Sequence, residues 1–241
     1  MSKKILIVGG VAGGASAAAR LRRLDESAEI ILFERGEYIS FANCGLPYYI
    51  GGEIKEKSAL LLQTPQSFNA RFGVDVRVQH EVTAIDRENK TVTVRQTATG
   101  ETYSESYDEL ILSMGAAPIK PPIPGIELDK VFTLRNIPDT YRIKDYIEEN
   151  KPRSAVIVGG GFIGVEMAEN LTHAGLEVTI VELADQIIAP LDRDMAFEVQ
   201  RHIRQKGVKL MLENAVTGIA ETTNGLQITL SDGEVFADML I

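Results

Sequence analysis

Two glycine-rich segments and one cysteine are the residues of this sequence best suited to chemistry. The glycine segments occupy positions 9–14 and 159–164, and a glutamate follows each of them, Glu34 20 residues after the first and Glu182 18 residues after the second. Glycines let a backbone approach a pyrophosphate, and the start of the following helix favours an anion. A carboxylate at this distance accepts hydrogen bonds from ribose hydroxyls. The spacing predicts two dinucleotide sites.

The second glycine segment matches the dinucleotide-binding pattern at every position. Gly159 suits the tight turn, Gly161 the close approach of the pyrophosphate, and Gly164 the close packing of helix on strand. The carboxylate of Glu182 would accept hydrogen bonds from both ribose hydroxyls and repel a 2′-phosphate, so NADH is predicted in preference to NADPH. The alternative is a glycine-rich turn that binds no ligand.

The first glycine segment departs from that pattern, because Val11 stands where the middle glycine is expected. A β-branched side chain limits close approach at this position unless its φ is negative. Two dinucleotide sites in one chain favour a tightly held flavin together with an exchanging nicotinamide, since a flavin relays hydride equivalents. The alternative is a degenerate first segment that binds nothing.

Cys44 is the one cysteine of the chain. A single cysteine is often an inert buried side chain, which is the alternative here. Three features favour a reactive thiol. Cys44 follows the first predicted ribose carboxylate closely, a short helix is predicted to begin just after it, and a thiol at a helix start is favoured as the thiolate. With no second cysteine present, any disulfide at Cys44 must form with an external thiol.

The elements that position these residues repeat along the chain. Each glycine segment follows a short β-branched run and precedes an amphipathic or alanine-rich helix and a second strand, which is the βαβ unit of an α/β fold. The two copies start 150 positions apart, which suits two domains of similar construction rather than a solenoid. The predicted strands are 5–8, 29–34, 74–78, 82–85, 91–94, 102–107, 107–112, 155–158 and 177–182, and the predicted helices are 15–24, 137–150, 165–173 and 192–206.

A proline-rich stretch over positions 118–125 predicts a stiff connector between the domains, because proline fixes φ and removes a hydrogen-bond donor. We therefore predict domains at 1–120, which includes Cys44, and at 121–241. The final apolar run, 236–241, has no turn signal after it, which predicts that the sequence is a fragment cut within a strand.

Composition excludes several classes of protein. The apolar fraction of 44% and the charged fraction of 24% are ordinary for globular chains and argue against disorder. With 25 Lys and Arg against 34 Asp and Glu, the formal charge of −9 disfavours nucleic acid and anionic membranes as partners. No apolar run is long enough to span a bilayer, no signal peptide is recognised, and one cysteine fits a reducing compartment, so a cytoplasmic location is predicted. The three histidines lack metal-ligand spacing, and no metal site is predicted.

The motif Gly-Gly-Val-Ala-Gly-Gly at 9–14, together with Ser-Phe-Ala-Asn-Cys-Gly-Leu-Pro-Tyr-Tyr at 40–49, resembles the single-cysteine pyridine nucleotide-disulfide oxidoreductases. Within them the chain is most similar to coenzyme A disulfide reductases and NADH-dependent coenzyme A persulfide reductases. The similarity runs through all 241 residues, and Val11 is usual in this subgroup. It implies two Rossmann-like FAD/NAD(P)-binding domains of the three-layer ββα type, with the C-terminal part of the family fold absent. It also implies a homodimer when full length and, in some members, a C-terminal sulfurtransferase domain.

The resemblance also implies roles for individual residues. Cys44 would be the redox nucleophile beside the flavin, and Phe162 the aromatic that lies over the flavin where the nicotinamide enters. The residues implied for FAD are Gly9, Gly10, Val11, Ala12, Gly13, Glu34, Arg35, Asn43, Val82, Ser113, Gly115 and Arg135. Those implied for NADH are Gly159, Gly161, Phe162, Ile163, Gly164 and Glu182. Those implied for coenzyme A are Ser16, Arg20, Arg23, Ser40, Asn43 and Arg71, although Phe72 stands where some relatives have a lysine.

Part of the coenzyme A assignment also follows from spacing. Arg20 and Arg23 are three residues apart and share a helix face, where two guanidinium groups would clamp phosphates. The alternative is a solvated basic helix end, Arg22 included, that is favoured by the helix dipole.

The function predicted first is an FAD-dependent oxidoreductase that uses NADH to reduce coenzyme A disulfide or persulfide through Cys44, with a small-molecule thiol as product. The second hypothesis is an NADH oxidase or peroxidase in which Cys44 cycles through a sulfenic acid. Ala12 weakens it, because peroxidase relatives carry a histidine in the first glycine loop. The third is a non-enzymatic nucleotide-sensing or protein-binding module with an inert Cys44.

Overall fold

The computed structural model describes residues 2–241, which form two compact units. Among the described residues, unit 1 comprises 2–42 and Ser58–Ala117, and unit 2 comprises Asn43–Lys57 and Pro118–Ile241. None of the helices within residues 2–241 combines the length and the apolar character that crossing a membrane requires.

The described residues form six α-helices and fourteen strands. The helices are α1 (Ala12–Leu24), α2 (Leu46–Gly51), α3 (Pro65–Phe72), α4 (Ile137–Asn150), α5 (Phe162–His173) and α6 (Arg193–Gln205). The first seven strands are β1 (Lys4–Val8), β2 (Glu29–Glu34), β3 (Asp75–Val78), β4 (His80–Asp86), β5 (Thr91–Gln96), β6 (Thr102–Ser106) and β7 (Glu109–Leu112). The others are β8 (Ser154–Val158), β9 (Glu177–Val181), β10 (Lys209–Met211), β11 (Val216–Thr222), β12 (Gly225–Leu230), β13 (Glu234–Ala237) and β14 (Met239–Leu240).

Unit 1 has three layers around a parallel sheet of order β3-β2-β1-β7. Successive side chains of a strand point to opposite faces, so β1 sends Leu6 to one face and Ile7 to the other. Leu6 packs with Val92 of the antiparallel sheet β4-β5-β6. Ile7 packs with Ala18 of α1 and Phe68 of α3. Burial on both faces explains the continuous apolar run that the strand shows in the sequence.

Unit 2 repeats this construction. Its parallel sheet has the order β10-β9-β8-β14, and its antiparallel sheet has the order β11-β12-β13. Val156 of β8 and Val181 of β9 pack with Ile228 of β12 in one buried cluster. The predicted α/β fold with two Rossmann-like domains of the three-layer ββα type is therefore confirmed.

Several elements differ from their predicted bounds. Helices α1 and α5 begin three residues earlier than predicted, inside the glycine segments, because Val11 and Gly161 are their N-cap residues. Helix α3 and strands β10 to β13 were not predicted. The final run 236–241 is not one strand, because Asp238 separates β13 from β14 and accepts hydrogen bonds from the backbone N–H groups of residues 153 and 154.

The proline-rich stretch belongs to unit 2 rather than standing free as a connector. The carbonyl of Pro124 accepts a hydrogen bond from the N–H of Ile219 at 2.8 Å. Gly125 has a φ of +84°, and a Cβ on it would overlap the carbonyl oxygen of Ile219. The backbone of 118–125 thus packs directly on β11, and the units divide between Ala117 and Pro118 rather than after residue 120.

The cysteine-bearing segment also belongs to unit 2. The residues that carry Cys44, Asn43–Lys57, group with unit 2 because α2 packs against α4 and α5. Tyr49 of α2 is buried and meets Tyr141 of α4 edge to face, with ring centroids 5.8 Å apart. The predicted first domain of 1–120 included this segment, so the compact units differ from it here.

Candidate functional site

The first glycine segment forms the turn between β1 and α1 in unit 1. Gly9 has a φ of +100°, and a Cβ on it would overlap the carbonyl oxygen of Ser113. A Cβ on Gly14 would overlap the carbonyl oxygen of Gly9. Both positions therefore require glycine, for the turn and for close packing. Val11 has a φ of −91°, so the valine sits in the turn without left-handed strain.

Glu34, at the end of β2, is fixed by the backbone on both of its carboxylate oxygens. Oε2 accepts a hydrogen bond from the N–H of Gly10 at 2.8 Å, and Oε1 accepts one from the N–H of Gly36 at 2.9 Å. Each carboxylate oxygen has a further lone pair, so Glu34 can still accept hydrogen bonds from two ribose hydroxyls.

A cavity of about 230 Å³ lies beside this glutamate in unit 1. The structure brings five of the residues predicted for FAD to its wall, namely Gly9, Glu34, Arg35, Val82 and Gly115. Gly13, also predicted, faces the side chain of Ser113, because a Cβ on it would lie 3.4 Å from the Ser113 Oγ.

The cavity wall also includes His80, which was not predicted as a site residue. Its Nδ1 lies 2.7 Å from the carbonyl oxygen of Val78, and its ring meets Tyr103 edge to face. His80 and Val82 are two positions apart in β4, and side chains two positions apart in a strand share a face. From that spacing, His80 could have been predicted to line the same site as Val82.

The start of α1 is suited to an anion. The first turn of α1 contains no acidic residue, and Val11 makes no side-chain cap hydrogen bond. The first N–H groups of a helix have no partner within it, and they carry the positive end of the helix dipole. With Gly10 beside them, these groups fit the pyrophosphate of a dinucleotide.

A charged network lies beside Phe33, which lines this cavity. The guanidinium of Arg77 lies 5.5 Å from the ring centroid of Phe33, which lines the cavity, and donates to Glu105 at 2.7 Å. Lys4 also donates to Glu105, at 2.6 Å. Burial acts to raise the pKa of Glu105, but the hydrogen bonds and charges of Lys4 and Arg77 outweigh it and hold that pKa below its ordinary value.

The second glycine segment in unit 2 repeats the geometry of the first. Gly159 has a φ of +108°, and a Cβ on Gly164 would overlap the carbonyl oxygen of Gly159. Gly161 faces open space, since a Cβ on it would have no neighbouring atom within 4 Å. Glu182 accepts from the N–H of Gly160 at 2.6 Å through Oε2 and from the N–H of Ala184 at 2.7 Å through Oε1.

Exposed apolar side chains surround this second turn. Phe162 and Ile163, in the first turn of α5, are 60% and 57% exposed, and Leu183, next to Glu182, is 71% exposed. Large apolar side chains that are exposed next to one another commonly mark a binding surface. Phe162 and Ile163 were predicted for the nicotinamide cofactor, whereas Leu183 was not.

Cys44 is exposed, in a single 3₁₀ turn, Asn43–Gly45, that leads directly into α2. Helix α2 packs on α5, the helix that begins at the second glycine segment. At the contact, a Cβ on Gly51 would lie only 2.7 Å from Oδ1 of Asn170. The exposed thiol therefore lies just before a helix that is packed against its neighbours in unit 2.

Two further predicted residues meet beside Cys44. Arg135 Nη1 donates to Oδ1 of Asn43 at 3.5 Å. The backbone N–H of Arg135 donates to Asp139 at 2.9 Å, in the capping box that starts α4. The cap fixes the backbone from which Arg135 reaches Asn43.

The residues predicted for coenzyme A fall in different surroundings. Ser16, Arg20 and Arg23 are exposed on α1, at spacings that place them on one face. Arg23 and Arg71 line the same open hollow of unit 1. Ser40 has a φ of +45°, and its N–H donates to the carbonyl of Gly10 at 2.9 Å. The backbone of Ser40 therefore supports the first glycine turn.

Arg22 differs from its basic neighbours. It donates to the carbonyl oxygens of Glu26, Phe72 and Gly73 at 2.7, 2.8 and 2.9 Å. Its guanidinium thus joins the ends of α1 and α3, where helix carbonyls lack partners. It is a structural residue rather than a solvated part of a basic helix end.

The chain is similar to known proteins over nearly its whole length. The family model described as Pyridine nucleotide-disulphide oxidoreductase matches residues 3–241. A Coenzyme A disulfide reductase of Staphylococcus aureus (strain JH9) is 39% identical over 239 residues, which are 99% of this chain and 53% of that protein. The chain therefore spans about half the length of this curated relative.

Two solved structures are similar over nearly the whole chain. The crystal structure of reduced Bacillus anthracis CoADR-RHD has a TM-score of 0.95 and 56% identity, covering 100% of this chain and 43% of that one. The structure of a NAD-dependent persulfide reductase from A. fulgidus has a TM-score of 0.92 and 36% identity, covering 98% of this chain and 44% of that one. On the match of the family model and on these likenesses, the chain belongs to the pyridine nucleotide-disulphide oxidoreductase family.

Proposed function

We propose that this chain is the cofactor-binding part of an NADH-dependent flavoprotein that reduces coenzyme A disulfide or coenzyme A persulfide through Cys44. The observation that carries the proposal is the placement of the single thiol. Cys44 is exposed on a turn whose helix, α2, packs on the helix that starts at the second glycine segment.

The residues of unit 1 fit FAD. Gly9 and Gly14 admit no side chain, the first N–H groups of α1 have no partner within the helix, and Glu34 offers two oriented carboxylate oxygens. Bound FAD would supply the relay that carries two electrons from the NADH hydride to sulfur. His80 and Val82 line the cavity beside Glu34 and are proposed as contacts for the same ligand.

The residues of unit 2 fit NADH. Gly161 leaves open space for a pyrophosphate, and Glu182 is held so that its carboxylate faces the start of α5. A fixed carboxylate accepts hydrogen bonds from ribose hydroxyls and repels a 2′-phosphate, which favours NADH over NADPH.

Cys44 would act as the nucleophile. Its thiolate attacks one sulfur of coenzyme A disulfide, which forms a Cys44–coenzyme A mixed disulfide and releases one coenzyme A thiolate. Two electrons from NADH then cleave the mixed disulfide and release the second coenzyme A as a thiol. With a persulfide, the outer sulfur leaves as hydrogen sulfide. Arg135 holds Asn43, which fixes the residue next to the thiol.

The basic face of unit 1 is the proposed coenzyme A contact. Arg20 and Arg23 are exposed on α1, and Arg71 joins Arg23 at one open hollow. Guanidinium groups pair with phosphates through charge-assisted hydrogen bonds, and coenzyme A carries several phosphates.

The test is a comparison of substrates with the full-length protein loaded with FAD. NADH oxidation is measured with coenzyme A disulfide, coenzyme A persulfide, glutathione disulfide, oxygen and peroxide. We expect the coenzyme A substrates to be preferred and Cys44→Ser to abolish their reduction while FAD stays bound. Undiminished reduction by the Cys44→Ser variant, or a preference for oxygen or peroxide, would refute the proposal.

A further inference from the structure

A buried glutamine of α6 reaches the second dinucleotide turn from outside the motif. Gln200 is 8% exposed and is one of the few buried polar side chains in the described residues. Its Oε1 accepts a hydrogen bond from the backbone N–H of Ile187 at 3.2 Å. A buried backbone N–H that loses its partner costs free energy, so this contact fixes the segment in which Ile187 lies.

That segment holds the second glycine of the turn in two ways. The side chain of Ile187 packs against Gly160, because a Cβ built on Gly160 would lie 2.6 Å from Cγ2 of Ile187. The N–H of Ile188 donates to the carbonyl of Gly160 at 2.8 Å. Ile188 makes this bond with a φ of +47°, a strained conformation for a β-branched residue that persists only where its surroundings impose it.

The contacts continue to the predicted ribose carboxylate. The N–H of Gly160, whose carbonyl is held by Ile188, donates to Oε2 of Glu182 at 2.6 Å. Gln200, the segment 187–188, Gly160 and Glu182 therefore form one connected set of hydrogen bonds. A shift of the segment would move both the glycine turn and the carboxylate.

Unit 1 contains the same arrangement with a different anchor. Ser40 lies six residues after Glu34, as Ile188 lies six after Glu182, and has a φ of +45°. Its N–H donates to the carbonyl of Gly10 at 2.9 Å, and its own carbonyl accepts from the N–H of Leu62 at 3.0 Å. Backbone hydrogen bonds therefore hold the segment in both units, and in unit 2 the buried side chain of Gln200 adds a further one.

We infer that Gln200 is a positioning residue for the nicotinamide dinucleotide: it holds the segment 187–188, and through it the glycine turn and the Glu182 carboxylate, in the binding geometry. The inference rests on the proposed function, because it assigns NADH to this turn. It predicts that Gln200 controls the affinity for the dinucleotide and leaves the chemistry at sulfur unchanged.

The test uses Gln200→Met in the full-length protein loaded with FAD. Methionine has a similar volume and adapts to irregular packing, but it offers the N–H of Ile187 no comparable acceptor. Because one buried hydrogen bond is lost, we expect the dissociation constant of Gln200→Met for ADP-ribose to be about tenfold higher than that of the wild type. The probe is ADP-ribose, which carries the diphosphate and both riboses and delivers no hydride, and its binding is measured by calorimetry.

A control variant separates positioning from general stability. Ile203→Val removes a buried methyl one turn further along α6, where residue 203 is 9% exposed, and is expected to lower stability without changing ADP-ribose binding. In turnover, Gln200→Met should raise the KM for NADH, while kcat at saturating NADH and the KM for coenzyme A disulfide stay within about twofold.

The outcomes distinguish the inference from the proposed function. If wild type and Gln200→Met bind ADP-ribose equally, or if Ile203→Val weakens binding as much, the positioning role is wrong while the NADH site stands. If the wild-type protein does not bind ADP-ribose, the NADH assignment is wrong and the inference fails with it. If ADP-ribose binds as predicted but coenzyme A disulfide is not reduced, the inference holds and the substrate assignment is wrong.

Discussion

Replacing Gly51 by alanine tests how the cysteine-bearing segment is held in place. An ideal Cβ at residue 51 would lie 2.7 Å from Oδ1 of Asn170 and 2.9 Å from both its Cβ and its carbonyl oxygen. Carbon atoms pack without repulsion at about 3.5 to 4.0 Å, so α2 must move away from α5 to admit the methyl group.

The expected cost follows from two opposing effects. Overpacking of a tight contact costs about 1 to 3 kcal/mol. Alanine is favoured over glycine in a helix by at most about 1 kcal/mol, which offsets part of that cost. Taking the middle of the overpacking range, about 2 kcal/mol, the net destabilisation of the α2–α5 contact is about 1 to 2 kcal/mol, which corresponds to a roughly 5- to 30-fold rise in the population of the opened segment.

Hydrogen exchange measures this opening directly, because amides exchange through local unfolding. Exchange of the α2 amides in the full-length protein, followed by mass spectrometry, should accelerate by that factor in Gly51→Ala. The control is Gly218→Ala, where the nearest atom to a new Cβ is 4.0 Å away and no acceleration at α2 is expected. Unchanged exchange at α2 in Gly51→Ala would show that this contact does not anchor the cysteine segment.

Four further substitutions test other contacts of the structure. Arg22→Gln should lower the free energy of unfolding by about 2 kcal/mol, because charge-assisted hydrogen bonds to helix carbonyls are lost. Arg23→Gln should leave stability unchanged and raise the KM for coenzyme A disulfide. Equal unfolding midpoints in urea for the two variants would contradict the structural role of Arg22. Glu182→Ser should raise the KM for NADH about tenfold and reduce the preference for NADH over NADPH, as steady-state kinetics would measure, and an unchanged preference would remove Glu182 from the ribose site. The pKa of Glu105 is held below its ordinary value, so the stability that Glu105 contributes is complete above the ordinary pKa and is lost as the pH falls through the folded-state pKa. Between about pH 6 and about pH 3, the urea midpoint of Glu105→Gln should therefore fall less steeply than that of the wild type. Parallel curves for the two proteins would contradict this.

The elements with strong local signals were predictable from the sequence. Residues 29–34 and 137–150 form a strand and a helix with the predicted bounds, because apolar periodicity and capping act within each segment. Helix α3 carried a signal that was not used. Thr64 is its N-cap and Pro65 its first residue, a pairing typical of a helix start.

The features that escaped prediction depend on contacts distant in sequence. Segment 43–57 joins unit 2 because of the packing of α2 on α4 and α5, which no local pattern encodes. Ser40 and Ile188 have left-handed backbone conformations although neither is Gly or Asn, so the residue type gave no indication of a positive φ at either position. The contact of Gln200 with Ile187 joins residues 13 positions apart across a loop and a helix, where periodicity is uninformative.

The likeness between the two glycine turns was predictable in part. The repeated strand, glycines and glutamate predicted two turns of the same kind, and the hydrogen bonds of Glu34 and Glu182 to the second glycine are the same in both units. The third part of each turn, the left-handed residue six positions after the glutamate, became visible only in the structure.

We propose that Cys44 exchanges disulfides with coenzyme A and that NADH reverses the exchange. Intact-protein mass spectrometry of the full-length, FAD-loaded protein, incubated anaerobically with coenzyme A disulfide, measures this directly. We predict one coenzyme A moiety added per chain, mapped to Cys44, absent from Cys44→Ser and removed by NADH. An adduct that persists after NADH, or no adduct at Cys44 at all, would contradict the account.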